Sequence, residues 1–114
     1  MRAALAGAHA IFANTNFWDQ GSYELEVAQG RLINGIASQV PELEHYVLSA
    51  LPDGRTFAGG RFRGNLPYNA KAAIREDLMI NYPGLWAKTT ELWVAYYYQN
   101  WMKFGLVFGP QEVR

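Results

Sequence analysis

Residues 8–18 read AHAIFANTNFW, a short and mostly apolar run that passes directly into a polar, aromatic turn. Bounded by Gly7 and by these polar residues, the run predicts a strand over residues 9–14. A continuous apolar run of this length is typical of a strand buried on both faces. Open α/β sheets bind their ligands at the carboxyl ends of strands. The stretch therefore predicts the fold class and also a site, in the loop at residues 15–21.

The same alternation of helix and strand continues on both sides of this strand. Residues 2–7 predict the end of a helix that Gly7 stops. Ser22 is suited to cap a second helix, which runs to about Gln39 before Pro41 blocks its continuation. The apolar residues at helical spacing predict the packing face of this helix: Leu25, Ala28, Leu32, Ile33 and Ile36.

The chain after Pro41 predicts two more strands, over residues 45–51 and 89–96. Between them lies a predicted helix over residues 68–81, with Pro67 in its first turn. Its candidate packing residues are Ala72, Ala73, Ile74, Leu78 and Met79. Helices between strands make βαβ units with right-handed crossovers. We therefore predict a single α/β domain over residues 1–114, with three layers: about three parallel strands in sequence order and helices on both faces.

The composition limits the classes of function. Ten basic and ten acidic residues cancel, which argues against direct nucleic-acid binding or attachment to a membrane surface. The chain has no cysteine, and its two histidines fall in different predicted strands, so no cysteine- or histidine-based metal spacing is present. No apolar run approaches the length needed to span a bilayer. A cytoplasmic protein is the expectation, with the nucleus as a further possibility.

Several segments resemble the NmrA-like family when taken in order: GAHAIFANTNFWD at 7–19, EVAQGRLI at 26–33 and HYVLSALPD at 45–53. PYNAKAAIREDL at 67–78 is similar to the lysine helix of that family, and KTTELWVAYYYQNW at 88–101 to the strand and segment after it. In style, these segments are similar to those of the fungal members of the family. These proteins are atypical relatives of the short-chain dehydrogenases, so the resemblance implies a partial Rossmann fold, NAD(P) binding with a preference for NADP, and a transcription-factor partner.

The chain also departs from the family pattern. The family begins with a strand and a GxxGxxG turn that binds the pyrophosphate, and it continues beyond the region matching Pro110 into a smaller substrate lobe. This chain resembles the middle third, truncated at both ends, and whether Met1 is the biological start stays open. Without the preceding strand, the strand at residues 8–14 exposes its edge. We expect a homo-oligomer or a partner chain to cover that edge.

The resemblance assigns cofactor binding to four loop residues and one helical lysine. Asn14, Thr15, Asn16 and Phe17 stand where the family lines the phosphates and the nicotinamide ribose, and Lys71 stands where a family lysine holds a ribose hydroxyl. The alternative is that the amides and the hydroxyl only satisfy the loop backbone. Trp18 is expected to be a packing residue.

The candidates for catalysis are Tyr68 and Lys71. Tyr68 lies three residues before Lys71, whereas short-chain dehydrogenases use a spacing of four, and Pro67 stands where the family commonly has a histidine. Ser49 lies near the position of the dehydrogenase serine. The alternatives are a packed tyrosine, a solvated lysine and a buried hydroxyl. Aromatic residues are dense from Trp93 onward, which favours an interface there; they include Tyr96, Tyr97, Tyr98, Trp101 and Phe104.

Three hypotheses of function follow from these observations. The first is an NmrA-like regulatory or interaction protein in which NAD(P) binding is weak or lost. The second is an isomerase, cyclase or NADP-dependent reductase of a fungal metabolite pathway, using Lys71 and the loop after the first strand. The third is a non-functional fragment of a longer NmrA-like protein.

Overall fold

A computed structural model describes residues 1–19, 21–61, 64–94 and 97–105 of the chain. Three strands alternate with two long helices: β1 (Ala10–Ala13), α2 (Tyr23–Ala37), β2 (His45–Ala50), α3 (Leu66–Asn81) and β3 (Thr89–Trp93). The short helices are α1 (Arg2–Leu5), α4 (Pro83–Trp86) and α5 (Asn100–Lys103). Single 3-10 turns lie at Phe17–Asp19 and Phe57–Gly60. No helix in these ranges is long and apolar enough to cross a membrane.

The sheet has the predicted topology. Its strand order is β1-β2-β3, and both pairs are parallel. Ile11 is opposite Tyr46, and Tyr46 is in turn opposite Thr89. The predicted class, a mixed α/β fold with three parallel strands in sequence order and flanking helices, is therefore confirmed. Two residues of the predicted third strand, 95 and 96, lie outside the described residues.

In the described residues both long helices pack on the face of the sheet that carries Ile11, Tyr46 and Leu48, so the prediction of helices on both faces is wrong. Two successive crossovers of one hand between strands laid down in one direction bring both helices to the same side. The core between these helices and the sheet is formed by Ile11, Ala13, Ala37, Val40, Leu43, Tyr46, Leu48, Ala50, Ile74, Leu78 and Leu85.

The opposite side of the sheet, here called the open face, carries the alternate residues of each strand: Ala10, Phe12, His45, Val47, Ser49, Thr90 and Leu92. Phe12 is 60% exposed and Leu92 is 42% exposed. The prediction that the first strand is buried on both faces is therefore wrong. β1 alternates between exposed and buried residues, as strands with one covered face do.

Helix α2 begins where it was predicted to begin, but its predicted packing face is only partly correct: Ile36 is buried and Ile33 packs against the core. The Ser22 hydroxyl accepts a hydrogen bond from the Leu25 backbone N–H at 3.3 Å, which caps the helix. Leu25 and Leu32, two residues of the predicted packing face, are 50% and 56% exposed. The buried residues are Glu26, Val27, Gly30, Asn34, Ile36 and Ala37. A glycine and two polar residues thus lie in the contact, which hydrophobic periodicity does not register.

Helix α3 is closer to its prediction. Pro67 lies in its first turn, as expected, and four of its five predicted packing residues are buried. Met79 is the exception, at 38% exposed. The helix ends at Asn81, after which Pro83 opens the short helix α4.

A buried polar network joins α2, α3 and β2. The Tyr46 hydroxyl donates to Asn34 Oδ1 at 3.1 Å. The Asn34 amide donates to the Ile74 carbonyl oxygen and to Asp77 Oδ2, each at 3.1 Å. The other oxygen of Asp77 accepts from the Asn81 amide at 2.9 Å. Because Asn34 and Tyr46 are both fully buried, this satisfied network fixes the relative position of the three elements.

The first prediction concerns the close approach of α2 and α3. A Cβ added at Gly30 would lie 2.4 Å from two side-chain carbons of the buried Ile74. We expect Gly30→Ala to lower the free energy of unfolding by about 1–3 kcal/mol through overpacking, measured by urea unfolding. Gly84→Ala in α4 is the matched control, since a Cβ added there meets no atom of the described residues within 4 Å beyond its own chain neighbours and helix backbone. In an Ile74→Ala background the cost of Gly30→Ala should shrink; an undiminished cost would contradict the overpacking account.

The second prediction concerns Tyr46 at alkaline pH. Burial raises the pKa of its hydroxyl well above the ordinary value of about 10. Above about pH 10 the unfolded chain therefore loses this proton first, and the free energy of unfolding falls as pH rises. Tyr46→Phe should remove this part of the alkaline loss, while costing about 1–3 kcal/mol near neutral pH because Asn34 Oδ1 loses its donor. Unfolding measured across pH 8–11 in both proteins tests this; parallel pH profiles would contradict it.

Candidate functional site

The loop after β1 holds the four predicted cofactor residues, Asn14 to Phe17. Asn16 Oδ1 accepts from the Trp18 backbone N–H at 3.2 Å, and its amide donates to Asp19 Oδ1 at 2.6 Å. Asn16 therefore satisfies the turn that follows it, as the alternative interpretation of these residues expected. Phe17 is buried, with its ring edge-on to that of Trp18 at 5.4 Å. Trp18 is 80% exposed, so the prediction that it packs in the interior is wrong.

Lys71 reaches this loop from α3. Its ammonium donates to the Thr15 carbonyl oxygen at 2.8 Å, and to Thr15 Oγ1 and Asn14 Oδ1 at 3.3 Å each. Only 12% of the Lys71 side chain is exposed. The structure thus brings together three of the five predicted cofactor residues, Asn14, Thr15 and Lys71, at the carboxyl end of β1.

Glu26 completes the cluster and was not anticipated from the sequence. Its side chain is 1% exposed, and its Oε1 lies 3.4 Å from Lys71 Nζ. The same oxygen accepts from the Thr15 hydroxyl at 2.7 Å. A glutamate in the first turn of a helix suits the positive end of the helix dipole and is usually exposed. The position of Glu26 in the first turn of α2 therefore did not indicate that its carboxylate is buried against Lys71.

The second oxygen of Glu26 has no hydrogen-bond partner among the described residues. Glu26 lines a cavity of about 10 Å³ together with Asn16, Phe17, Ser22, Leu25 and Gln29. That volume is close to the least that one water molecule needs. The cavity beside Glu26 therefore has room for about one water, and Asn14, Thr15 and Lys71 are not among the residues that line it.

The electrostatics of the cluster are those of a buried ion pair. Burial lowers the pKa of the Lys71 ammonium, and the Glu26 carboxylate acts in the opposite direction. The ammonium has three N–H donors, and four protein oxygens lie within 3.4 Å of it: two of Thr15, one of Asn14 and one of Glu26. The arrangement stabilises the loop after β1 and leaves little donor capacity for a ribose hydroxyl.

The weak catalytic candidates lie elsewhere. Tyr68 lines an apolar cavity of about 360 Å³ with Pro52, Gly54, Phe57 and Asn65, and it is not among the hydrogen-bond partners found for Lys71. Ser49 is half-buried and belongs to the open face. The structure does not assemble Tyr68, Lys71 and Ser49 into one group.

A larger groove, of about 560 Å³, lies at the carboxyl ends of β2 and β3. It is lined by Leu51, Pro52, Asp53, Arg55, Thr56, Ala72, Arg75, Glu76, Met79, Ile80 and Trp93. Arg55 makes a bidentate pair with Asp53, at 2.8 Å for the shortest contact, which lowers the pKa of that carboxyl. Arg75 donates to Glu91 at 2.7 Å and stacks over the Trp86 ring. Both guanidinium groups are thus paired with carboxylates of the protein.

No family model matches the chain. The NmrA-like resemblance therefore stays a prediction from the sequence segments at 7–19, 26–33, 45–53, 67–78 and 88–101.

The third prediction tests the ion pair in the cluster. We expect Lys71→Met to lower the free energy of unfolding by about 3 kcal/mol, because it leaves the Glu26 carboxylate buried and uncompensated. Glu26→Gln together with Lys71→Met should recover much of this loss, since no charge is then left in the site. Urea unfolding of the two single variants and the double variant gives the coupling energy. Strictly additive effects would mean that the two side chains do not form a buried pair.

Proposed function

We propose that this chain is an interaction protein that makes contact through its open face, and that its dinucleotide binding is weak or lost. The observation that carries the proposal is the exposure of Phe12, at 60%, in a sheet made only of parallel strands. Parallel sheets are normally covered on both faces. A partner that covers this face supplies the missing layer.

The apolar residues of the open face lie on three neighbouring strands. Phe12 on β1 is opposite Val47 on β2, and Leu92 on β3 lies one residue pair further along, opposite Ser49. Full burial of a Phe or Leu side chain stabilises a contact by about 1.5–3 kcal/mol. The polar residues of the face are uncharged or weakly basic, with Thr90 Oγ1 lying 3.2 Å from His45 Nε2. The surface thus favours a partner with an apolar, uncharged contact.

The cluster at the end of β1 supports the second half of the proposal. A ribose hydroxyl that binds Lys71 must displace Asn14 Oδ1 or a Thr15 oxygen, and it must enter a site that is nearly closed to solvent. Displacing satisfied buried hydrogen bonds costs free energy that a ligand has to regain. NADP is therefore at most a weak ligand under this proposal.

The NmrA-like resemblance supplies a biological setting for the proposal. Members of that family act in regulation through protein contact, so the resemblance favours a transcription factor as a partner and the cytoplasm or nucleus as the compartment. A reductase, cyclase or isomerase that used Lys71 and the loop after β1 would need open space for a ligand beside that lysine. Here the Lys71 ammonium donates to Asn14 and Thr15, and its side chain is 12% exposed.

The fourth prediction tests the open face and the cofactor on one sample. At the lowest protein concentration that fluorescence allows, the dye 1-anilinonaphthalene-8-sulfonate should bind the native chain, because it binds exposed apolar surface. We expect Phe12→Lys to reduce this fluorescence at least twofold without lowering the melting temperature. Trp18→Lys is the matched control, since it removes an even more exposed aromatic residue outside the open face.

Calorimetric titration with NADPH completes the test. We expect no binding in the micromolar range. Micromolar binding that Thr15→Ala abolishes, together with dye fluorescence that does not depend on Phe12, would overturn the proposal in favour of a dinucleotide-dependent function.

A further inference from the structure

We propose that the partner of the open face is a second copy of this chain, and that the aromatic segment of each copy, residues 97–104 (YYQNWMKF), lies on the open face of the other. This inference rests on the proposed function, since it names the occupant of the same surface. The contact is reciprocal and has two-fold symmetry, as in most homodimers.

The size of the open face argues against a dimer made by that face alone. Three strands spaced by about 4.8 Å and four to six residues long give a surface of roughly 14 Å by 13–20 Å. That is roughly 200–300 Å², whereas a stable interface buries about 800 Å² on each partner. A second copy must therefore bring additional apolar surface to the contact.

The aromatic segment provides such surface. Tyr98 is 87% exposed and Met102 is 81% exposed, and α5 buries none of its four residues. Large aromatic side chains bury about 150–250 Å² each when they are covered. One open face and one aromatic segment, each burying roughly 200–300 Å², bring each copy to roughly 400–600 Å², about twice what the open face alone supplies and in the range of a concentration-dependent dimer.

Charge also favours this pairing. The open face carries no Asp, Glu, Lys or Arg, and Lys103 is the only such residue in the aromatic segment. Glu44, whose side chain is 80% exposed beside His9, immediately precedes His45 at the amino-terminal border of the open face. Lys103 of one copy can approach Glu44 of the other while the neutral aromatic side chains cover Phe12. No like charges meet in the contact.

The aromatic segment does not cover the open face of its own chain. With the aromatic segment of its own chain present, Phe12 and Leu92 are exposed. The segment follows β3, an edge strand of the sheet, so it is placed where a second molecule can reach it. Exchange of the segments between two copies covers both apolar surfaces at once.

The fifth prediction is tested by light scattering on the full chain across a range of concentrations. We expect the native chain to approach twice its mass of 12.9 kDa, with dye fluorescence per chain falling as the dimer forms. Phe12→Lys and Met102→Glu should each weaken self-association at least tenfold, while Trp18→Lys should leave it unchanged. Circular dichroism of each variant shows whether it remains folded.

Mixing the two weakened variants gives the sharpest result. The pair of Phe12→Lys and Met102→Glu retains one native contact, and its other contact places the introduced ammonium against the introduced carboxylate. We expect the mixture to form a heterodimer, whereas neither variant dimerises well alone.

Three outcomes distinguish a failure of this inference from a failure of the proposed function. A native chain that stays monomeric at all concentrations, but whose dye fluorescence depends on Phe12, overturns the second copy as the occupant and leaves the open face as a surface for another protein. A mixture of the two variants that stays monomeric while the native chain dimerises overturns the exchange of segments. Monomers without any Phe12-dependent dye binding overturn the proposed function as well.

Discussion

The contact between α2 and α3 is the constraint on which the rest of the structure depends. The two helices approach so closely at Gly30 that no side chain fits against Ile74. One turn further along α2, Asn34 binds the carbonyl oxygen of that same Ile74 and the carboxylate of Asp77, and accepts from Tyr46. A close approach and a satisfied polar network at one place allow a single relative position of the helices on the sheet.

The candidate site follows from this contact. Lys71 lies three residues before Ile74 on α3, so the network that positions Ile74 also directs Lys71 toward the end of β1. Glu26 lies four residues before Gly30 on α2 and meets Lys71 from the other side. The cluster at the loop after β1 is therefore assembled by the same pair of helices that forms the core. The cluster is therefore part of the helix packing, and its polar groups are largely used in bonds within the protein.

The sequence predicted the parts of the structure that depend on local patterns. Gly7, Ser22, Pro41 and Pro67 indicated where helices begin and end, and the apolar runs indicated three strands whose helical connections require parallel pairing. The packing face of α2 could be predicted only in part: Ile33 and Ile36 pack as expected, whereas Leu25 and Leu32 follow the same helical spacing on the exposed side. The observed packing face includes Gly30 and Asn34. Gly30 allows the close approach of Ile74, and Asn34 forms hydrogen bonds with Ile74 and Tyr46, residues that are remote in the sequence.

For the site, the sequence and the resemblance predicted which loop and which lysine meet, but not the buried carboxylate between them. An ion pair between α2 and α3 is a tertiary feature, and neither helix shows it alone. The same reasoning applies to the open face. An apolar strand predicts that its residues are buried. It does not indicate which face of the strand is covered by the same chain and which by a partner.

The open face is suited to recognition because its geometry is already fixed. Phe12, Val47 and Leu92 are held on three hydrogen-bonded strands whose other side packs against the core. A partner therefore meets an ordered surface and does not have to order the backbone beneath it, which removes one of the main costs of association. Leu25 and Leu32 on α2 are comparably exposed, but they lie on a curved helix surface among polar neighbours. A partner that packs on the uncharged open face buries apolar surface on three neighbouring strands at once. This is the physical reason why we propose that the partner binds there.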